Sequence, residues 1–330
     1  MLSDICPPGR QPPTRAQGVG SCMAMLCVAL WLAPAAAGGP DAVPALRRTR
    51  LNVIYSSSLF RTVSRNDAIA AMQVWLATVG RQKGFTVDAH VFVADDLDHM
   101  RRLLRETPPG VVLLDPLEYF ELAGLGVLDP AFFGAKGRGD EAVQYLLLAR
   151  QDPGITALAD LRGKSLVTYA SSRAELGRKW VEVLLHESGL GPADRFFGAL
   201  SSVTNPSAAV LPVFFGKTGA GVVDRASFEV MKEMNPQLGS KLRTLAVTPP
   251  LLDGILCVHK QLLEYRDELL ESLRQLHQDP AGSQILLVFK SNKLRPVDPE
   301  ILERVREIGT KYRRIAQRQE SRPSKSGEAR

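Results

Sequence analysis

Residues 51–58 read LNVIYSSS and residues 110–119 read GVVLLDPLEY, and the stretch between them decides the fold class. Residues 51–55 (LNVIY) are a short apolar run of strand length, with Ser56, Ser57 and Ser58 as the loop at its C-terminal end. Residues 66–81 carry apolar side chains at helical spacing and stop before Gly84. Residues 86–93 (TVDAHVFV) alternate as a strand, and residues 95–106 (DDLDHMRRLLRE) make a charged amphipathic helix. Residues 111–114 are fully apolar and run into Asp115-Pro116. Strand, helix, strand, helix and strand in that order predict a parallel sheet flanked by helices.

Outward from this unit, a glycine-rich loop (Gly134, Gly137, Gly139) leads to residues 144–150 (QYLLLAR), and Asp152-Pro153-Gly154 breaks the chain. The first crossing between two lobes is placed at this break. The alternation then restarts, with strands over 165–169, 196–200, 219–223 and 242–247 and helices over 172–187, 206–215 and 226–234. Thr248-Pro249-Pro250 ends this second α/β lobe, and residues 255–259 (ILCVH) form a return strand. Helices are expected over 261–277, 282–289 and 299–314. The expected organisation is a leader over 1–37, one lobe from 51–149 plus 250–314, a second lobe from 150–249, and a disordered basic tail over 315–330.

The leader is read from residues 23–33 (MAMLCVALWLA), an apolar run of signal-peptide length followed by Pro34 and the Ala35-Ala36-Ala37 cleavage pattern. The run is too short for a membrane span, which needs roughly 20 apolar residues. Cleavage near Ala37 and a soluble periplasmic protein are expected. The segment before the run is long, so Met23 or Met25 is a candidate start. Cys6, Cys22 and Cys27 fall in the leader, leaving Cys257 and no intramolecular disulfide. Residues 311–330 hold seven basic and two acidic side chains, whereas residues 38–310 carry 32 of each sign. A body of zero formal charge is not a nucleic-acid binder by charge.

Catalytic templates fail. The five histidines are scattered, with no His-x-x-x-His or Cys-x-x-Cys pair and no Gly-x-Ser-x-Gly turn, so neither metal, cofactor nor enzymatic activity is expected. Gly163-Lys164-Ser165 and Gly216-Lys217-Thr218 echo the end of a phosphate loop, but Leu158 and Leu211 stand where its first glycine belongs. The first of these reads as a turn delivering the chain into the strand at Ser165.

Residues 157–164 (ALADLRGK), residues 110–119 and the two crossings near 150 and 255 together resemble the phosphonate-binding branch of type 2 periplasmic solute-binding proteins. The resemblance covers about residues 51–314. It implies an α/β fold of two lobes, each a mainly parallel sheet flanked by helices, joined by two hinge strands and closing on a small-molecule ligand. It also implies a monomer that delivers its ligand to an ABC permease. The alternative is an input protein that reports its ligand to a membrane sensor.

Carried over residue by residue, the family's ligand set is incomplete. Its Ser-Thr-Ser-Gly anion cradle falls on Ala174-Glu175-Leu176-Gly177, its Ser-His on Asn205-Pro206, and its strand aspartate on Gly219. Tyr119 matches the aromatic placed over the ligand, and Asp224 sits at a strand end that carries ligand contacts. A three-residue shift would bring Ser171 and Ser172 into the cradle. Read from the residues alone, Ser172-Arg173-Ala174-Glu175 fits a capping box, which puts a carboxylate in the first helical turn and weakens anion binding there. Ser56, Ser57 and Ser58 are ligand donors or a solvated turn, and Asp115 is a ligand contact or a helix cap. Tyr119 and Tyr169 are ligand contacts or packing, while Trp75 and Trp180 are core.

Overall fold

The computed structural model describes residues 46–61, 64–107, 110–136, 142–152, 154–172, 175–262 and 264–321. The expected leader, Gly137, Gly139, Arg173, Ala174 and residues 322–330 lie outside them. In chain order the elements are β1 (Arg47–Ser56), α1 (Arg65–Gln82), β2 (Phe85–Ala94), α2 (Leu97–Glu106), β3 (Gly110–Leu114), α3 (Pro116–Leu122) and β4 (Leu128–Ala135). There follow β5 (Tyr145–Arg150), β6 (Ser165–Tyr169), α4 (Leu176–Glu187), α5 (Ala193–Phe196), β7 (Ala199–Val203), α6 (Pro206–Phe214), β8 (Ala220–Asp224), α7 (Arg225–Met234), α8 (Gln237–Lys241) and β9 (Leu242–Val247). The chain ends with β10 (Ile255–His259), α9 (Arg266–Arg274), α10 (Pro280–Val288), β11 (Lys293–Pro296) and α11 (Pro299–Glu320).

Two sheets result, one in the order β11-β4-β10-β3-β1-β2 and the other in the order β7-β6-β8-β5-β9. The apolar strands recognised from their runs pair in parallel, β1 with β2 and β3, and β6 with β7 and β8. Strands that enter a sheet from the other lobe run against it. Thus β10 is antiparallel to β3 and β4, and β5 is antiparallel to β8 and β9. Parallel strands place their carboxyl ends on one side of each sheet, which is where such folds bind ligands.

The first crossing lies between β4 and β5, ahead of Tyr145, and not at Asp152-Pro153-Gly154. Residues 145–150 are interior to the second sheet, buried along nearly their whole length. The misplacement came from β4, whose Pro130 and Gly134 look like loop residues. Pro130 is tolerated opposite Cys257, where the register shifts at a bulge. Gly134 pairs with Leu294, and a side chain there would stand 2.2 Å from Ser291 Oγ. The second crossing, between β9 and β10, is zipped to the first. Val143 and Leu251 exchange backbone hydrogen bonds of 2.9 and 2.8 Å, and the Tyr145 amide donates to Thr248 Oγ1 at 2.9 Å.

The C-terminal expectation also needs correction. Helix α11 continues to Glu320, so residues 315–320 are helical and Ile315 is buried. The helix is amphipathic, with Val305, Ile308 and Ile315 in an apolar cluster that includes Val112 and Leu114 of one sheet and Leu176 and Trp180 of α4. Its polar side reaches both lobes, Arg313 to Glu121 at 2.6 Å and Lys311 to Glu187 at 2.8 Å. Trp75 and Trp180 are core residues, as read from the sequence.

The close approach of β1 and β3 gives a direct check on the sheet. A Cβ at Gly110 would stand 1.9 Å from the Asn52 carbonyl oxygen, which is backbone and cannot turn away. Gly110→Ala should lower unfolding stability by about 3 kcal/mol, read from a urea titration, because strands must separate to admit the methyl group. An unchanged midpoint would contradict the register.

Candidate functional site

Helix α3 begins at Asp115-Pro116, with proline at the first helical position where no amide is needed. Asp115 is its N-cap, accepting from the Leu117 amide at 2.8 Å, and Glu118 completes a capping box by accepting from the Asp115 amide at 3.0 Å. The cap reading of Asp115 is therefore realised. The same Glu118 carboxylate also accepts from Ser56 Oγ at 2.8 Å and Ser58 Oγ at 3.0 Å. Two hydroxyls and an amide at the carboxyl ends of β1 and β3 thus converge on a carboxylate supplied by the chain itself. Ser57 points elsewhere, donating to the Asp95 carbonyl oxygen at 3.0 Å.

From the second lobe, Ser172 Oγ donates to Asp115 Oδ2 at 3.0 Å, a buried hydrogen bond between the lobes. This overturns the capping box at Ser172. Helix α4 starts at Leu176 after Glu175, which has a left-handed backbone (φ 48°) and no side-chain cap, and the Glu175 carboxylate accepts from Ser202 Oγ at 3.1 Å. The buried Asp115 carboxylate has taken the hydroxyl that would have capped the helix. Gly177 lets α4 approach Tyr145, whose ring would stand 3.0 Å from an added Cβ.

A second cluster joins the two crossings. Lys136 Nζ, just past β4, pairs with Asp253 Oδ2, just before β10, and the two side chains are 20% and 14% exposed. Ser171 Oγ donates to Asp253 at 3.4 Å and is hydrogen-bonded to the Tyr145 hydroxyl. Burial works against the Lys136 ammonium, but Asp253, with Asp224 and Tyr169 beyond it, outweighs that and raises its pKa. Burial, reinforced by Asp224, pushes Tyr169 up to about 12. Asp224, at the end of β8, is buried and caps α7 through the Ser227 amide at 2.8 Å. Lys179 of α4 has its pKa lowered by burial, against the pull of Asp115 and Glu175.

Two cavities meet here. A broad cleft of about 880 Å³ is lined by Lys136, Tyr169, Ser207, Asp224 and, from the first lobe, Lys290 and Asn292. A narrower cavity of about 130 Å³ is lined by Lys136, Tyr169, Ser171, Ser172 and Asp253 together with Ile255 and Leu256 of β10. The structure therefore gathers Tyr169, Ser171, Ser172 and Asp224 in one place, with Asp115 linked through Ser172. Ser56 and Ser58 belong to the Glu118 cluster. Asn205 is exposed and caps α6 through the Ser207 amide at 2.9 Å, and Tyr119 packs edge-on against Phe120, 5.3 Å between ring centres. Sequence reading missed Lys136, Asp253, Glu118 and Tyr145. Among the described residues no group of three or more His, Cys, Asp or Glu side chains could hold a metal ion, and no helix is long and apolar enough to cross a membrane.

The model of the family described as "ABC transporter, phosphonate, periplasmic substrate-binding protein" matches residues 59–302. The chain belongs to this family, whose members are periplasmic solute-binding proteins. No curated relative matches it in sequence. Among solved structures it is similar to XAC2383 from Xanthomonas citri bound to ATP (20% identity, 81% of this chain and 98% of that one, TM-score 0.57). It is also similar to the binding protein component of an ABC phosphonate transporter, PA3383 from Pseudomonas aeruginosa (16% identity, 81% and 87%, TM-score 0.52). A third is PhnD1 from Prochlorococcus marinus in complex with methylphosphonate (16% identity, 80% and 98%, TM-score 0.52). These likenesses establish the two-lobed type 2 periplasmic binding protein fold expected from the sequence.

Burial, with the neighbouring Glu118 charge, raises Asp115 from an ordinary 3.8 to about 7, against the Leu117 amide, Ser172 and Lys179. The folded protein then holds a proton that the unfolded chain releases, so this group's stabilisation is complete below about 4 and lost as pH rises through about 7. Asp115→Asn should remove a fall of up to about 1.4 kcal/mol per pH unit across that window, measured by urea unfolding at a series of pH values. Superimposable pH profiles for the two proteins would contradict the assignment.

Proposed function

We propose that this family member is the solute-binding component of an ABC importer. It receives a small polar ligand in the cleft between the lobes, at Lys136, Tyr169, Ser171, Ser172, Asp224 and Asp253, and has lost affinity for simple phosphonates and phosphate. The lobes close about the two zipped crossings, moving as rigid bodies, and present the closed form to the permease. Export with cleavage near Ala37 belongs to the same reading.

The observation that carries the ligand reading is the Glu118 carboxylate. XAC2383 and PhnD1 are described with ATP and methylphosphonate, both of which carry oxygen anions on phosphorus. Here the donors suited to such an anion at the ends of β1 and β3 are already bonded to Glu118. On the opposite lobe, Glu175 and Leu176 stand at the start of α4 where hydroxyls would be needed. An incoming phosphonate loses several charge-assisted hydrogen bonds, each worth about 1.5–3 kcal/mol, so two losses weaken binding by two or more orders of magnitude.

Calorimetry with phosphate, phosphite and methylphosphonate tests this. The native protein should show no submicromolar affinity for any of them. Glu118→Ala should lower the melting temperature, since it strands three donors, and added phosphate should restore it in the variant while leaving the native protein unmoved. Submicromolar binding of any of the three by the native protein would overturn the reading.

A further inference from the structure

We propose that the 130 Å³ cavity is a subsite for an apolar side chain, and that the solute is an α-amino acid with an aliphatic or aromatic side chain. This rests on the solute-binding reading and adds the ligand's class. Protein cores contain few voids larger than a water molecule, whereas an engineered cavity of comparable size lined by Leu, Ile and Phe stays dry and admits benzene. The walls here are of that kind: Met72 and Trp75 from α1, Leu113 from β3, Ile285 and Leu286 from α10, and Phe289 after it. Of its polar lining, Lys136, Asp253 and Ser171 are joined by hydrogen bonds, with Ser172 next in the chain and Lys290 and Ser291 following Phe289, and Lys136, Tyr169 and Lys290 also border the larger cleft. The shape is that of a socket for an apolar group whose polar head remains at the hinge.

The head is set by the Lys136–Asp253 pair. A simple anion drawn to Lys136 leaves Asp253 without its cation, and a simple amine drawn to Asp253 leaves Lys136 without its anion; either strands a largely buried charge. A zwitterion strands neither, because its carboxylate faces Lys136 while its ammonium faces Asp253. The wider cleft adds two further positive charges, Lys290 and Arg225, and three negative ones, Asp224, Glu229 and Glu233, so it favours a head that carries an ammonium. An α-amino acid places both head charges on the carbon that carries the side chain, so the head can sit at the hinge with the side chain in the socket.

Calorimetry with alanine, norvaline, norleucine and 2-aminooctanoate lengthens the side chain from a methyl to a hexyl group at constant head. Affinity should rise about fourfold per methylene, so norleucine, three methylenes longer, binds about sixtyfold more tightly than alanine. Leu286→Phe, and separately Met72→Phe in case the first folds poorly, should cut that ratio to a few-fold while leaving alanine unchanged. Pentylamine and hexanoate, each with half the head of norleucine, should bind at least about tenfold more weakly than norleucine. Equal affinities along the series would overturn the tail subsite, and equal binding by the half-heads would overturn the zwitterion. No binding by any amino acid overturns the proposal as a whole. The solute-binding reading is judged separately, by whether small-angle scattering shows compaction when the protein retains the solute with which it purifies.

Discussion

The pairing of Lys136 with Asp253 is the constraint around which this molecule is arranged. Each residue stands on one of the two segments that cross between the lobes, and each is largely buried. A buried ion pair contributes little net stability, but removal of one partner leaves an uncompensated charge and is strongly destabilising. The pair therefore fixes the register of the crossings, which are further held by the Val143–Leu251 exchange and by Thr248.

The rest of the cleft obeys the same economy. Its polar groups are satisfied from within: Ser56, Ser58 and the Asp115 amide by Glu118, Ser172 by Asp115, and Ser202 by Glu175. Function resides in such sites and not in the fold that carries them. Helix α11, in contact with both α3 and α4, joins the two lobes through its apolar face and through Lys311 and Arg313.

The parallel strands were legible because burial on both faces writes itself as continuous apolar runs such as residues 51–55 and 111–114. The Asp115 cap was legible for a local reason, an Asp immediately before Pro. What escaped was decided over long distances. Strand β4 hides behind Pro130 and Gly134, both acceptable only because of what Cys257 and Ser291 do across the sheet. Ser172 has local credentials as a cap, yet a carboxylate 57 positions away claims its hydroxyl. Lys136 and Asp253 are 117 positions apart, and neither stands in a motif, so only the topology brings them together. Tyr169, Ser171, Ser172 and Asp224 line the cleft and its cavity because they stand at or just past strand ends. Ser57, Asn205 and Tyr119 share that address but turn to other partners.

The central claim is that the chain's own carboxylates have remade the cleft of a phosphonate-type binding protein. The most direct measurement is mass spectrometry of the small molecules released on denaturing protein purified without added ligand from its own periplasm. The expected result is a stoichiometric solute that carries an ammonium group and an apolar portion and contains no phosphorus. A stoichiometric phosphonate, phosphite or phosphate would contradict it.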